Sequence, residues 1–323
     1  MPKTKSRKTN KKKVKNSFFW VRIGFLVILG LIILFIPGQN IYTMSFGSLI
    51  SSSSQPNIPE PKANPYPENF TGNLPGEDVS AESIVIRDEN SGVYLYKKNE
   101  NLLLAPASTT KILTAMVALD KYKLDDVLTV KTVVNNGQSM GLVSGEKMTV
   151  ENLLYGSLIH SANDAAYVLA ENYPGGIDTF IKDMNQKAVT LNMTSSNFTN
   201  PQGYDNPAHK VTAIDLSRLA SVALANKTIA KMVAIPSITI SDINFTYYHS
   251  LTNVNQLLGK IPGVGGIKTG WTEEAGENLV TMVERDGHRV ILVVLHSEDR
   301  FGDTTKLIDW VFSNFKWENY NME

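Results

Sequence analysis

The 323-residue chain contains no cysteine and only five histidines. The absence of cysteine excludes disulfide bonds, thiolate metal sites and a cysteine nucleophile. None of the histidines has the helical spacing of two zinc ligands, and the motif His-Glu-x-x-His does not occur. A metallopeptidase is therefore disfavoured, and we expect neither a metal nor an organic cofactor.

Net charge is also absent, because 31 Lys and Arg balance 31 Asp and Glu, but the charges are unevenly distributed. Residues 1–22 carry nine Lys or Arg and no acid, and an apolar run follows at 23–36. This order is typical of a segment retained in the cytoplasm before one that enters the membrane. We predict a basic cytoplasmic segment at 1–22 and a signal-anchor or transmembrane segment at 23–37. A single pass would then hold the rest of the chain outside the cytoplasm at the cell membrane.

Two alternatives remain for this amino-terminal region. A cleaved signal peptide would need a small-x-small site, and residues 37–42 show no clear one, which favours a retained anchor. A basic tail for nucleic acid would not need the apolar run that follows it, so we expect no nucleic-acid partner.

Residues 38–79 have little that could pack into a core. They include four successive serines at 51–54 and five prolines between 56 and 67. Polar, proline-rich tracts of this kind remain extended because they bury too little apolar surface. We predict an extracytoplasmic linker at 38–79 and a folded domain at 80–323.

The folded part has strand patterns at both ends and helical patterns between them. Alternating apolar residues around turn signals predict hairpins at 83–96 and 278–296. Apolar residues at three- and four-residue spacing predict helices at 108–121, 149–160, 162–172, 176–190, 212–225 and 303–316. A doubly wound sheet would need alternating strands and helices. The order instead predicts an α+β fold, in which an antiparallel sheet carries a helical insertion.

The tetrad Ser108-Thr109-Thr110-Lys111 lies where a helix is predicted to begin. Its spacing places the hydroxyl of Ser108 and the amine of Lys111 on one helical face. A hydroxyl beside a neutral amine is a nucleophile with its base, provided that burial or a nearby cation lowers the amine pKa. By itself the tetrad is weak, because a chain of this length contains about one Ser-x-x-Lys by chance. The alternative is a helix cap followed by a solvated lysine.

Two further motifs follow along the chain. Ser161-Ala162-Asn163 lies at a predicted helix junction, where an N-cap is the common alternative role. Lys268-Thr269-Gly270 lies in a glycine-rich strand, where a glycine allows close approach of a ligand. The alternative here is an edge-strand lysine before a turn. Lys-Thr-Gly is the rarer motif, expected by chance in well under about one chain in ten.

In this order the three motifs are those of penicillin-binding proteins and class A β-lactamases. Residues 81–315 resemble the low-molecular-mass penicillin-binding proteins, which are serine D-alanyl-D-alanine carboxypeptidases of the peptidase S11 type. Further segments resemble signatures of that family: Ala105-Pro106-Ala107-Ser108, Asn200-Pro201-Gln202-Gly203, Ala275-Gly276 and Arg300-Phe301-Gly302-Asp303-Thr304. The resemblance implies a β-lactamase/transpeptidase-like fold. In that fold a five-stranded antiparallel sheet is flanked by helices and carries a helical subdomain.

The resemblance also implies a function. The enzyme would remove the terminal D-Ala from D-Ala-D-Ala stem peptides of peptidoglycan through an acyl-enzyme on Ser108, which β-lactam antibiotics would also acylate. Lys111 would take the hydroxyl proton, and Ser161 would relay a proton toward the leaving D-Ala. Asn163 would hold the substrate amide and the lysine network.

Substrate binding is implied for the third motif. Lys268 and Thr269 would bind the terminal carboxylate, and Gly270 would let the peptide lie against the strand. The backbone amides of Ser108 and Trp271 would form the oxyanion hole. The ammonium of Lys268 would also help to keep the catalytic lysine unprotonated, because like charges lower a lysine pKa.

Three other functions fit the sequence less well. A class A β-lactamase needs a Glu ahead of an Asn between Ser161 and Lys268, and Glu171 lies instead inside a predicted helix. A penicillin-sensing or penicillin-binding protein without turnover would need a cytoplasmic output domain, which about 20 residues cannot form. The Gly-x-Ser-x-Gly at Gly137-Gln138-Ser139-Met140-Gly141 matches an α/β-hydrolase elbow, but a poor helix-forming segment follows it.

Overall fold

The structure is a computed structural model that describes residues 20–29 and 65–318. The chain separates into two units, Met1–Pro61 and Lys62–Glu323, and the second holds the fold described below. Residues 20–29 are helical. Among the described residues, no helix combines the length and the apolar character needed to cross a membrane. Residues 1–19 of the predicted cytoplasmic segment, 30–37 of the predicted anchor and 38–64 of the predicted linker lie outside the described residues.

The second unit combines strands at its two ends with helices in its middle. Its strands are β1 (Tyr66–Asn69), β2 (Ser83–Asp88), β3 (Tyr94–Lys98), β4 (Val127–Thr129), β5 (Lys147–Thr149), β6 (Ser237–Ser241), β7 (Tyr248–Thr252), β8 (Val264–Thr272), β9 (Gly276–Arg285), β10 (His288–Ser297) and β11 (Phe315–Glu318). Its helices are α1 (Lys111–Leu119), α2 (Val150–Leu158), α3 (Asn163–Glu171), α4 (Gly176–Thr190), α5 (Ala213–Ala225), α6 (Lys227–Val233) and α7 (Arg300–Asn314).

The main sheet has five antiparallel strands in the order β3-β2-β10-β9-β8. Alternate residues of β10 enter two different cores. Ile291 and Val293 pack with the helical middle of the chain, whereas Leu292 and Val294 pack with α7. Because both faces are covered, the strand reads as a continuous apolar run, and each buried aliphatic side chain stabilises the fold by about 1.5–3 kcal/mol. The predicted α+β class with an antiparallel sheet is confirmed.

Helix α1 is the central helix of the helical subdomain. Every side chain from Lys111 to Ala118 is buried, which explains why this helix is apolar on all sides. Neighbouring helices begin at side-chain caps: Thr149 accepts from the Asn152 amide before α2, and Thr212 accepts from the Asp215 amide before α5. The catalytic candidate Lys111 therefore begins a rigid, fully packed helix.

The folded unit begins earlier than the predicted boundary at 80. Strand β1 pairs antiparallel with β11, with Pro67 opposite Trp317. Farther along, Val79 is buried in the core beneath α7. A proline is tolerated here because this two-stranded sheet has only edge strands. The proline-rich region at 65–79, which the sequence predicts to be linker, thus contributes a paired strand and a buried side chain.

Candidate active site

A cleft of about 610 Å³ opens where the edge strand β8 faces the start of α3 and the turn before α1. The predicted site residues that line it are Ser108, Ser161, Asn163, Thr269, Gly270 and Trp271. The two remaining predicted residues, Lys111 and Lys268, are almost completely buried behind this lining. The structure thus brings all three sequence motifs into one site.

Ser108 lies in a tight 3₁₀ turn, Ala107–Thr110, which leads directly into α1. Ala107 has a φ of +47°, a left-handed conformation that an alanine rarely adopts. Two glycines allow other chain segments to pack against this turn. A Cβ on Gly203 would overlap the Ala107 carbonyl, and one on Gly270 would lie 2.9 Å from the Pro106 carbonyl. Strand β8 and the 200–204 turn therefore support the strained nucleophile turn from two sides.

The amine of Lys111 has three close partners. Its Nζ lies 2.8 Å from Ser108 Oγ, 2.7 Å from Asn163 Oδ1 and 2.6 Å from the carbonyl oxygen of Gln202. The amide and carbonyl oxygens can only accept hydrogen bonds. If the amine is neutral, these two oxygens accept hydrogen bonds from both of its N–H groups. The lone pair of the nitrogen then faces the hydroxyl proton of Ser108.

Several effects act on the protonation of Lys111. Burial lowers its pKa well below the usual value, the charge of Lys268 lowers it further, and Asp164 acts in the opposite direction. Burial is the largest cause, because an ammonium without water or a contacting carboxylate is strongly disfavoured. The surroundings of Lys111 thus favour the neutral amine that a base at this position requires.

Ser161 and Lys268 form a second hydroxyl-amine pair across the cleft. Lys268 Nζ donates to Ser161 Oγ at 2.8 Å and to the Thr269 carbonyl at 3.0 Å. Burial, and then the charge of Arg300, lower the pKa of Lys268 to about 7. Ser161 itself has a φ of +63°, so its hydroxyl is presented from a strained backbone. This pair can pass a proton near neutral pH.

The side chain of Asn163 is held in one orientation by the loop at 136–138, which forms part of the cleft wall. Its side-chain Nδ2 donates to the Asn136 carbonyl at 2.8 Å, and its backbone amide donates to the Gln138 carbonyl at 2.7 Å. Since Nδ2 faces a carbonyl, Oδ1 must face Lys111. Gly137 permits this contact, because a Cβ there would lie 2.8 Å from Asn163 Nδ2.

The Gly-x-Ser-x-Gly segment belongs to this same loop. Ser139 donates to Asp164 Oδ2 at 2.6 Å, and Asp164 also accepts from the backbone amides of Gly141 and Leu142. No helix follows the segment, since the next regular element is β5. The elbow of an α/β-hydrolase is excluded, and the segment serves as a wall of the cleft.

Comparison with known proteins agrees with this geometry. The family model described as D-alanyl-D-alanine carboxypeptidase matches residues 69–299. The chain belongs to this family. It is 36% identical over 246 residues to the D-alanyl-D-alanine carboxypeptidase DacF of Bacillus subtilis, an alignment that covers 73% of this chain and 63% of that protein. The chain therefore spans somewhat less than two thirds of that relative.

Solved structures of the same fold cover the catalytic part of this D-alanyl-D-alanine carboxypeptidase family member. The crystal structure of the Streptomyces K15 DD-transpeptidase has a TM-score of 0.70 and 32% identity, covering 74% of this chain and 100% of that one. Penicillin-binding protein D2 of Listeria monocytogenes, in its ampicillin-bound form, has a TM-score of 0.66 and 29% identity, with coverage of 74% and 100%. The predicted family and the predicted β-lactamase/transpeptidase-like fold are confirmed.

Two groups in the site of this carboxypeptidase family member were not assigned a role from the sequence. Arg300 lines the cleft and donates to the Gly270 carbonyl at 2.7 Å. The Gln202 carbonyl holds Lys111, as described above. Both lie in segments recognised as family signatures, but only the fold shows that α7 and the 200–204 turn reach the cleft. A backbone acceptor such as Gln202 leaves no residue-type signal at all.

Proposed function

We propose that the protein is a serine-type D-Ala-D-Ala carboxypeptidase that acts on peptidoglycan stem peptides. The observation that carries this proposal is the buried amine of Lys111, held by two obligate acceptors with its third position toward Ser108 Oγ at 2.8 Å. A neutral, oriented amine next to a hydroxyl is the arrangement required for general-base activation of a nucleophile.

In the acylation step, Ser108 Oγ attacks the carbonyl carbon of the penultimate D-Ala. Lys111 takes the hydroxyl proton, and the backbone amides of Ser108 and Trp271 stabilise the oxyanion. When the C–N bond breaks, the leaving amine of the terminal D-Ala receives a proton through Ser161, which Lys268 contacts at 2.8 Å. Asn163 holds the substrate amide. Water then attacks the ester and gives a proton back to the Ser161–Lys268 pair, while Lys111 returns its proton to Ser108 Oγ as the shortened peptide leaves.

The terminal carboxylate of the substrate binds at the cationic end of the cleft. Thr269 and Arg300 line the cleft there, and Lys268 lies buried behind them, close enough for the charge of Arg300 to lower its pKa. Gly270 keeps the strand open to the peptide. Ionic hydrogen bonds to a carboxylate are roughly twice as strong as neutral ones. The same groups recognise the carboxylate of a penicillin, which acylates Ser108.

A β-lactamase is disfavoured by the acids around the site. The carboxylates in the cleft lining are Asp205 and Glu273. Asp205 precedes an asparagine but is not a glutamate, and it accepts from Thr272 Oγ1 at 2.6 Å, whereas Glu273 follows Lys268 in the chain. Glu171 instead accepts from the backbone amide of Lys131 at 3.0 Å. These contacts support slow rather than rapid hydrolysis of a penicilloyl ester.

Membrane attachment is a further part of the proposal. Residues 23–37 serve as an uncleaved anchor, residues 1–22 stay in the cytoplasm, and residues from 38 to about 65 tether the enzyme outside. The basic block followed by an apolar run supports this topology. Full-length protein is expected in the membrane fraction after a carbonate wash. Release of a variant lacking residues 1–37 into the soluble fraction would support it, whereas an unanchored full-length chain would contradict it.

The activity is tested on the full-length chain in detergent, with a fluorescent penicillin and with diacetyl-L-Lys-D-Ala-D-Ala. Stoichiometric labelling and release of D-Ala are expected, and both should vanish in Ser108→Ala. Ser250→Ala, which changes an exposed serine of β7, serves as the matched control and should retain both activities. Rapid turnover of penicillin with an untouched peptide would refute the carboxypeptidase function in favour of a lactamase.

A further inference from the structure

His209 lies beneath the nucleophile turn and outside the cleft. Its side chain is 1% exposed, and it is not among the cleft-lining residues. On one side its Nε2 lies 3.0 Å from Thr110 Oγ1 in the catalytic tetrad. On the other side its Nδ1 lies 3.3 Å from the Thr199 amide nitrogen and 3.1 Å from Asn200 Nδ2. One buried imidazole thus bridges two segments that hold the active site.

The partners of His209 define its tautomer. A backbone N–H can only donate, so Nδ1 must accept from Thr199 and carries no proton. The proton of the neutral ring is therefore on Nε2, which donates to Thr110 Oγ1. Burial, together with the charge of Lys210, lowers the pKa of His209 to about 4. The ring accordingly stays neutral, in this single tautomer, at the pH values where the enzyme acts.

The hydrogen-bond partners on both sides of His209 belong to segments that contact or contain Lys111. Thr110 directly precedes Lys111 in the chain. Asn200 Oδ1 accepts from the amides of Gly203 and Tyr204 and so closes the turn in between. The carbonyl of Gln202 in that turn accepts from Lys111 Nζ at 2.6 Å.

We propose that His209 is a positioning residue, which aims the lone pair of Lys111 at Ser108 by fixing both the tetrad and the Gln202 carbonyl. This inference rests on the proposed role of Lys111 as the base. If the lone pair rotates away from the hydroxyl, proton transfer slows. Substrate still binds, because Thr269 and Arg300, which are proposed to hold its carboxylate, lie on other elements than the 200–204 turn. A mutation far from the reacting atoms that misplaces a catalytic group by about 1 Å can reduce the rate by about 100-fold.

Two substitutions separate the two sides of the imidazole. His209→Gln can still donate toward Thr110 but loses the acceptor for Asn200, whereas His209→Asn can accept from Asn200 but does not reach Thr110. The measurements are the acylation rate constant at saturating fluorescent penicillin, the noncovalent dissociation constant, and kcat and KM for diacetyl-L-Lys-D-Ala-D-Ala. All rates are divided by the fraction of protein that penicillin labels at the endpoint, which removes any loss from misfolding.

In each variant we expect the acylation rate constant and kcat to fall by about 10-fold or more, with KM and the dissociation constant within about twofold of wild type. A purely structural role would reduce only the labelled fraction and the melting temperature. Unchanged normalised rates in both variants, or a loss confined to KM, would overturn the role of His209.

The matched control is His296→Asn. His296 is exposed, is absent from the cleft lining, and has a φ of +53°, which an asparagine tolerates. Its rates should equal those of wild type. Wild-type protein that is not labelled at Ser108 would refute the proposed function itself, and with it this inference. Labelled wild type with unaffected His209 variants would refute the inference alone.

Discussion

Replacement of Lys268 by methionine should make the protein more stable while it abolishes the activity. Lys268 is 2% exposed, and burial followed by the charge of Arg300 lowers its pKa from 10.5 to about 7. Methionine has a similar length but no charge, so it removes the cost of burying an ammonium. It also removes the cation that is proposed to bind the substrate carboxylate and that lowers the pKa of Lys111.

The size of the gain follows from the pKa difference. Between the unfolded value of 10.5 and the folded value of about 7 lie roughly 3.5 units, which correspond to about 5 kcal/mol. Ser161 Oγ and the Thr269 carbonyl each lose a hydrogen bond, at about 1 kcal/mol each. The net gain is therefore about 3 kcal/mol below pH 7, which corresponds to a melting temperature about 6–12 °C higher for a domain of this size.

The pH dependence of the stability gain distinguishes removal of a buried charge from better packing of the methionine side chain. Below pH 7 the lysine is protonated in both states, and the folded protein carries the full cost. Between pH 7 and 10.5 the unfolded state binds the extra proton, so wild-type stability rises with pH and the advantage of Lys268→Met shrinks. Urea unfolding of both proteins at pH 6, 8 and 10 measures this. A variant that is no more stable at pH 6, or a gain independent of pH, would refute the reasoning.

Three further perturbations have defined outcomes. Wild-type kcat/KM for D-Ala release should fall above pH about 7, because Lys268 loses the proton of its ammonium there. The residual activity of Lys268→Arg should not fall over this pH range, because arginine stays charged. An equal decline in both proteins would contradict this prediction. Gly203→Ala should lower the unfolding free energy by about 3 kcal/mol and slow penicillin labelling. The reason is that residue 203 has a φ of +91° and that a Cβ there would overlap the Ala107 carbonyl. Normal labelling would rule out this close packing. Asn163→Asp places a carboxylate beside Lys111 and raises its pKa, so peptide hydrolysis at pH 7 should fall at least about 10-fold and the acid limb should move to higher pH. An unshifted limb would argue against Lys111 as the base.

Elements with long, regular patterns could be predicted from the sequence, and short ones could not. Helix α4 was predicted at its observed bounds because Phe180, Met184 and Ala188 repeat at four-residue spacing on its buried face. Helix α6 has seven residues, too few for a clear pattern, and its start depends on the cap by Asn226. The short strands β1 and β11 are defined by their pairing across the whole domain. Such pairing has no local signature.

The site divides in the same way. Side chains whose chemistry is carried by residue type, such as Ser108 and Lys268, were recognised from their motifs. The carbonyl of Gln202, the guanidinium of Arg300 and the imidazole of His209 act through where the fold places them. Their partners are remote in sequence, or are backbone atoms common to every residue.

The three basic side chains of the site act on one another in order. Arg300 lowers the pKa of Lys268, and Lys268 lowers the pKa of Lys111, while burial acts on all three. Arg300 has Glu277 nearby, the pKa of Lys268 is lowered to about 7, and the pKa of Lys111 is lowered well below its usual value. Burial and the charge of Lys268 therefore disfavour an ammonium at the end proposed to accept a proton, while Arg300 lies at the end proposed to bind the carboxylate. Neutralising Lys268 weakens both ends together, so its loss should lower carboxylate affinity and the acylation rate in the same variant.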